Sequence, residues 1–276
     1  MGRMYCMGDI HGCHAEFQAL LQALDFSPSR DVLYVLGDLV NRGPESAAVI
    51  RDLMALEGSA HCLLGNHDIH LLAVAQGLRS MHPKDTLRDV LDAPDAPVLL
   101  DWLRHLPLAL HANNCLMVHA GVMPQWSVPQ TLQCADAVSQ ALQAPDWCSN
   151  LAQIFGNQPA RWHDDLQGMD RLRCSLNALT RMRMLHADGC LDFAHKLGPE
   201  AAPAGLAPWY AYPNRQTAHT LVAFGHWSTA GLVQSNNVLG LDTGCVWGGR
   251  LSAAEILPAG QVARIVQVSS HSPVRP

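Results

Sequence analysis

The chain has 276 residues, 49% hydrophobic and 15% charged, with a net charge of −6 and no block of lysine or arginine; this suits one large domain and argues against holding long nucleic acid by neutralising its backbone. Nine cysteines with no CxxC pair and no regular spacing argue against a disulfide framework or a structural zinc site, and for buried thiols in a reducing compartment. No signal segment opens the chain and no apolar run approaches the ~18 residues that span a bilayer, so a cytoplasmic protein with no membrane partner is expected.

Five short apolar runs share one layout. Arg3 to Met7 ends at Gly8-Asp9, Val32 to Leu36 at Gly37-Asp38, and Cys62 to Leu64 at Gly65-Asn66-His67-Asp68. Cys115 to Val118 ends at His119-Ala120-Gly121, and Leu221 to Phe224 at Gly225-His226-Trp227. Such runs, closed by glycine, read as buried strands. Between the early ones, Phe17, Leu20, Leu21 and Leu24 form a helical stripe, and Pro44 opens a second before Val49, Ile50, Leu53 and Met54. Alternating strand and helix predicts an α/β sheet, with ligand groups gathered beyond the carboxyl ends of the strands. From about Gln125 to Arg215 strand signals fade, tryptophans are scattered, and stretches such as Leu172 to Met184 read as helix; the segment is expected to be a largely helical insertion. The chain then returns to β at Val238–Leu241, Leu251–Leu257 and Val262–Val268, the last two joined by a turn at Pro258-Ala259-Gly260.

The strand ends present Asp9, His11, Asp38, Asn66, His67, His119 and His226. Oxygen and imidazole donors without thiolate suit divalent Mn, Co, Fe or Zn. The i,i+2 spacing of Asp9 and His11 lets both aim at one ion as the chain leaves a strand. Asp38, with two oxygens, is placed to bridge to a second ion completed by Asn66, His119 and His226. Two ions ~3.5–4 Å apart clamp a phosphoryl oxygen and convert a bridging water to hydroxide.

Gly8-Asp9-Ile10-His11-Gly12, Gly37 to Gly43, Gly65-Asn66-His67-Asp68, His119-Ala120-Gly121 and Gly225-His226, in this order, resemble the metallophosphoesterase superfamily, in particular its phosphoprotein-phosphatase-like branch. The stretches Leu64 to Val74, Ala178 to Arg183 and Leu241 to Gly249 are similar to the symmetrical diadenosine tetraphosphate hydrolases. The resemblance runs from Met4 to about Leu257. It implies a calcineurin-like α/β sandwich, with mixed β-sheets flanked by helices, as a single domain over 1–276 with a mostly helical insertion at about 125–215. It implies Asp9, His11 and Asp38 on one metal, and Asp38, Asn66, His119 and His226 on the other. His67 then protonates the leaving oxygen, Arg42 holds the phosphate under attack, and Arg181 and Arg183 contact further phosphates. The implied reaction is hydrolysis of diadenosine tetraphosphate to two ADP, extending to other dinucleoside polyphosphates and to RNA 5′ ends with a nucleoside-tetraphosphate cap. Mn or Co is favoured over Mg by the imidazole count, with Fe and Zn as further options.

One position departs from the branch. Asn41 stands where phosphoprotein phosphatases carry an aspartate that orients the catalytic histidine, so His67 needs another carboxylate, Asp68 or Asp242, or takes its properties from metals and substrate. Asp68 reads equally as a cap of the following helix, and Asp242 as a turn residue before Gly244. Arg181 and Arg183 also read as surface charges of a helix. The insertion tryptophans read as core, or one of them as a platform for a nucleobase. The alternatives in function are a serine/threonine phosphoprotein phosphatase and a non-catalytic nucleotide-binding sensor.

Overall fold

The computed structural model describes residues 2–271. Strands β1 (Met4–Met7), β2 (Val32–Val35) and β3 (Ala60–Cys62) run parallel. Across β1 the sheet continues, antiparallel, through β12 (Arg250–Ile256) and β13 (Val262–Ser269), giving the order β13-β12-β1-β2-β3. A second sheet repeats this plan. Its parallel strands are β5 (Cys115–Val118), β9 (Leu221–Phe224) and β11 (Val238–Gly240), with antiparallel β4 (Ala109–Ala112) and β10 (Val233–Ser235) at the two edges. All five predicted strand ends are therefore found, on two mixed sheets as the resemblance implied.

Period-two alternation explains why β1, Met-Tyr-Cys-Met, is buried along its whole length. Met4 and Cys6 join Cys115 and Met117 of β5, Leu221 and Ala223 of β9, and Ala254 and Ile256 of β12 in a layer between the sheets. Tyr5 and Met7 point the other way, into a cluster with Phe17 and Leu20 of α1 (His14–Ala23) and Val49, Ile50 and Leu53 of α2 (Ser46–Ala55). Strands buried on both faces read as continuous apolar runs, as these do. Edge strands β4 and β10 lack that signal. β4 is specified instead by its turn, Asn113-Asn114, where both residues have positive φ (49° and 53°), as a two-residue hairpin requires.

Helix α3 (Asn66–Ala75) follows β3, and α4 (Arg88–Leu91) and α5 (Ala96–Arg104) lead into β4. The stretch 125–215 holds α6 (Val128–Gln143), α7 (Trp147–Ile154) and α8 (Gly168–Arg181). A small third sheet follows, β7-β6-β8, of β6 (Met184–His186), β7 (Leu191–Asp192) and β8 (Leu206–Pro208). The helix expected at Leu172 to Met184 begins earlier and stops at Arg181, because Met184 already pairs with Pro208 and Asp192. Strands of two or three residues are too short to show a period. Among the described residues no helix is long and apolar enough to cross a membrane.

The start of β2 is held by a charge cluster. Asp31, with no exposed side-chain surface, accepts from Arg3 (Nε 3.1 Å, Nη2 2.7 Å), Arg30 (Nε 3.0 Å, Nη2 2.9 Å) and the Ser27 amide (3.1 Å). Burial pushes its carboxyl up, but the arginine and amide hydrogen bonds outweigh burial and hold it below the usual range. The stabilising form is the anion, so its contribution is complete above the unfolded-state value near 4 and is lost as pH falls through the folded value. Asp31→Asn is expected to cost about 2 kcal/mol at pH 7, with the gap to the parent closing below about pH 4; urea unfolding at the two pH values measures both.

Candidate functional site

Five strand-end loops converge because each is bonded to another. His11 N and Ile10 N donate to the Asp38 carbonyl (2.8 and 3.2 Å), and Gly225 N donates to the His119 carbonyl (2.8 Å). Between the sheets, His226 N donates to both oxygens of Asp9 (3.1 and 3.0 Å), and His119 Nδ1 bonds the Leu36 carbonyl (2.7 Å). The backbone turns sharply at these points. His11, Asp38 and His226 have φ of 50°, 49° and 65°, and Asn41 and Arg42 have 75° and 73°. Left-handed non-glycine residues cost on the order of 1–3 kcal/mol each and cluster where function over-determines the backbone. Glycine is required next to them: a Cβ on Gly65 would collide with the Asp38 carboxylate, and one on Gly225 with that of Asp9.

Two donor groups result, and Asp38 belongs to both. Its Oδ2 lies 3.6 Å from His11 Nε2, which is 3.9 Å from Asp9 Oδ2. Its Oδ1 lies 3.4 Å from His119 Nε2. Asp38, His119 and His226 offer ligand atoms within 4.8 Å of one another. His11 and His119 each bond a carbonyl through Nδ1, Val40 O (3.2 Å) and Leu36 O, so the Nε2 lone pairs point inward. Asn66 Oδ1 sits 3.2 Å from His119 Nε2, and its amide edge 2.7 Å from His226 Nδ1. With the oxygen inward, three lone-pair atoms face one another, an arrangement that a cation between them resolves. Turned over, the amide nitrogen would instead face both rings and the Thr180 carbonyl, with two hydrogens to share among three acceptors.

The charge balance agrees with this fit. Asp9, Asp38, Asp68 and Asp242 are all buried. Burial, then the fields of Asp242 and Asp38, push Asp9 up, and burial pushes Asp242 up. Burial also opposes ionisation of Asp38, but His119, His67 and His11 outweigh it and keep that carboxyl low. Burial, with Arg183 and His119, holds His226 neutral. Oxygen-rich, imidazole-bearing and short of compensating cations, the cluster has the donor chemistry of a divalent-metal centre.

His67 stands beside the first group, its ring edge-on to His11 with centroids 4.9 Å apart. What orients it is Asn41. Asn41 Oδ1 accepts from the amides of Arg42 (2.8 Å) and Thr86 (3.0 Å), while Nδ2 donates to Asp85 (3.0 Å) and faces His67 Nδ1 at 2.9 Å. The reverse amide would set N–H against N–H and oxygen against carboxylate, so the orientation is fixed. His67 Nδ1 is therefore an acceptor and the ring proton lies on Nε2. Burial lowers the pKa of His67 to about 3, with His11 and Arg42 adding to the fall against the opposing field of Asp38. Asp85 also accepts from His70 Nε2 (2.7 Å), the His82 amide (2.7 Å) and Arg42 Nη1 (3.2 Å), which further bonds the Lys84 carbonyl (2.9 Å).

The carboxylates offered by sequence as partners of His67 lie elsewhere. Asp68 accepts from the amides of Leu39 (2.9 Å), Val40 (3.3 Å) and Gly65 (2.8 Å), capping α3 and strapping the Asp38 loop to it. Asp242 accepts from Gly244 N (3.1 Å) near Asp9. Asp85 was not legible as the node, because its links to Asn41 and Arg42 join parts of the chain more than forty residues apart.

Arg181 and Arg183 both reach the site. Arg181 Nη1 donates to Asn157 (2.9 Å) and Asn177 (2.8 Å), with its guanidinium 4.5 Å over the Phe193 ring. Arg183 donates to the His226 carbonyl (2.9 Å), and its buried Nε has no partner among the described residues. The insertion tryptophans are core or remote: Trp126, Trp162 and Trp209 are buried, and Trp147 lies under Arg104.

Residues 2–179 match the calcineurin-like phosphoesterase family. The chain belongs to that family. Membership implies divalent metal ions, and the family's hydrolase chemistry agrees with the donor set. Relatives named symmetrical bis(5′-nucleosyl)-tetraphosphatase are 54% identical in Acidovorax ebreus (strain TPSY), over 91% of this chain and 90% of the relative. In Ralstonia nicotianae (strain ATCC BAA-1114 / GMI1000) the figure is 49%, over 96% and 93%. A crystal structure assigned as a diadenosine tetraphosphatase is 27% identical with a TM-score of 0.64, covering 98% of this phosphoesterase and 94% of that chain. A Saccharomyces cerevisiae serine/threonine phosphatase shares the fold alone, at 14% identity and a TM-score of 0.56, over 100% and 81%. The motif-level resemblance to the symmetrical tetraphosphate hydrolases is thus borne out over nearly the whole phosphoesterase, and the reading of a non-catalytic sensor is set aside.

Proposed function

We propose that this phosphoesterase hydrolyses diadenosine tetraphosphate symmetrically to two ADP, with two divalent ions. The observation that carries the two-metal reading is the Asp38 carboxylate, divided between two donor groups. The substrate class is supported by half-identical relatives named symmetrical bis(5′-nucleosyl)-tetraphosphatase, and the adenosine by the solved structure named a diadenosine tetraphosphatase. Asp9, His11 and Asp38 would hold one ion, and Asp38, Asn66, His119 and His226 the other, with Mn or Co preferred over Mg by three imidazoles. When bound, the ions polarise phosphoryl oxygens and lower the pKa of water at the site.

The protein's own part is positioning and charge. Arg42, oriented by Asp85 and Lys84 through Nη1 alone, offers its remaining N–H groups to the phosphate under attack. Arg181 and Arg183 hold the outer phosphates and set which bridge is broken. His67 presents Nε2–H to the leaving oxygen. From there it is placed to supply the proton that the departing ADP takes up. Water adds across the central bridge, and ADP leaves on both sides. The same attack suits other dinucleoside polyphosphates and nucleoside-tetraphosphate caps on RNA.

Early-time chromatography with diadenosine tetraphosphate and Mn²⁺ is expected to show ADP as sole initial product. Chelation should abolish turnover, and Mn²⁺ or Co²⁺ should restore it better than Mg²⁺. Stoichiometric ATP and AMP would overturn symmetrical cleavage, and full activity after exhaustive chelation would overturn the metal reading.

A further inference from the structure

Two cavities meet at Asn66, His67 and Arg181, and their chemistry differs. One, of about 270 Å³, is cationic, walled by Arg183 and Lys196 as well as Arg181, with Phe193 and His226. The other, of about 350 Å³, lies between α3, the α7–α8 region and the segment at Arg79 to Asp85. Its lining is mixed: Ile69, Ile154 and Leu176 form an apolar patch and Phe155 a half-buried wall, while His70, His82, Asp85, Asn157, Asn177 and Thr180 make the surrounding wall polar. Arg42 and His67 stand at its inner end, beside the donor groups.

A cavity that joins an apolar patch to polar walls and opens toward the donor groups suits a ligand with a flat apolar face, polar edges and a charged tail. At about 350 Å³ it is near the lower limit of ligand cavities, which run from about 300 to 1,000 Å³, so it suits one nucleoside and not two. The Arg79 guanidinium lies over the Phe155 ring, 4.3 Å from its centroid, so this ring already carries a planar cation whose place a base would take. The buried tryptophans offer no such place.

We infer that this cavity is a nucleoside subsite, in which the base of one half of a dinucleoside polyphosphate lies on the Ile69, Ile154 and Leu176 floor against Phe155. The phosphate tail then leaves past Arg42 and His67 toward the donor groups, and the cationic cavity takes phosphates of the other half. The inference rests on the proposed tetraphosphatase reading and adds where the nucleoside binds. The floor meets the face of the base, and Asn157, Asn177 and Thr180 line the same cavity around it.

Calorimetric titration of ADP and of inorganic phosphate into the Mn²⁺-loaded protein tests it. Base–aromatic stacking is worth about 1–3 kcal/mol, so Phe155→Ala should weaken ADP binding at least about fivefold and leave phosphate affinity within about twofold. Phe155→Trp, which keeps an aromatic face, should restore ADP binding; thermal unfolding of both variants monitors the fold. Undiminished ADP affinity in Phe155→Ala would place the nucleoside elsewhere. Equal losses for ADP and phosphate, or failure of Phe155→Trp to rescue, would reduce Phe155 to a packing residue, and no ADP binding by the parent protein would remove the subsite. Phe155-dependent ADP binding in a protein that releases no ADP from diadenosine tetraphosphate would keep the subsite and overturn the reaction instead.

Discussion

Asp38→Ala is expected to lose both metals and all measurable turnover. The side chain is the one element shared by the two donor groups, with Oδ2 facing His11 and Oδ1 facing His119. Its Oδ1 also accepts from His67 N (2.8 Å), which pins the start of α3 to the β2 loop. Removing it leaves Asp9 and His11 as two ligands for one ion, and Asn66, His119 and His226 for the other with less charge. Elemental analysis after dialysis, beside the turnover assay, checks both losses. A variant that kept two tightly held metals would refute the bridge.

His67→Ala should behave differently, retaining metal while losing about 10²–10³ in turnover, the worth of one donor aimed at developing negative charge. His11, Asp38 and His67 also offer ligand atoms within 4.8 Å of one another, so His67 is a geometric rival for the first ion. Metal content decides: a metal-free His67→Ala protein would make it a ligand. Asp85→Asn, tested alongside, should retain metal and lose about 10–100-fold, typical of residues that orient others. Asp85 acts through Asn41 and Arg42, and a loss as large as that of His67→Ala would mean that it touches the reacting groups itself.

The contrast between those two residues marks how far the sequence could be read. Asp9, His11, Asp38, Asn66, His119 and His226 were legible because each follows an apolar run and has within two residues a glycine that lets the loops approach. Local composition carries that information. β1 and β5 were legible for the same reason, being buried on both faces. Asn41 was legible as a departure from the branch, but not its consequence. Whether its amide presents nitrogen or oxygen to His67 is set by Thr86 and Asp85, and no local pattern links those positions. Phe155 was hidden for another reason. A lone aromatic next to Gly156 looks like any helix end, whereas four tryptophans invite a stacking role that burial forbids to Trp126, Trp162 and Trp209 and that Trp147, under Arg104, is too remote to play. The strands β4, β6, β7, β8 and β10 are too short or too exposed to leave a period.

The pairing of β1 with β12, Met4 against Ile256, has a consequence for how the molecule is made. A ribosome releases the first strand of the central sheet long before its antiparallel neighbour exists. During that interval β1, β2 and β3 can assemble, but one flank of β1 stays open, with apolar side chains on both faces. His226, whose amide seats the Asp9 carboxylate, emerges nearly as late. Chains broken off before Leu251 thus carry an unpaired hydrophobic edge, and such fragments are fated for aggregation or degradation rather than survival as smaller folded forms.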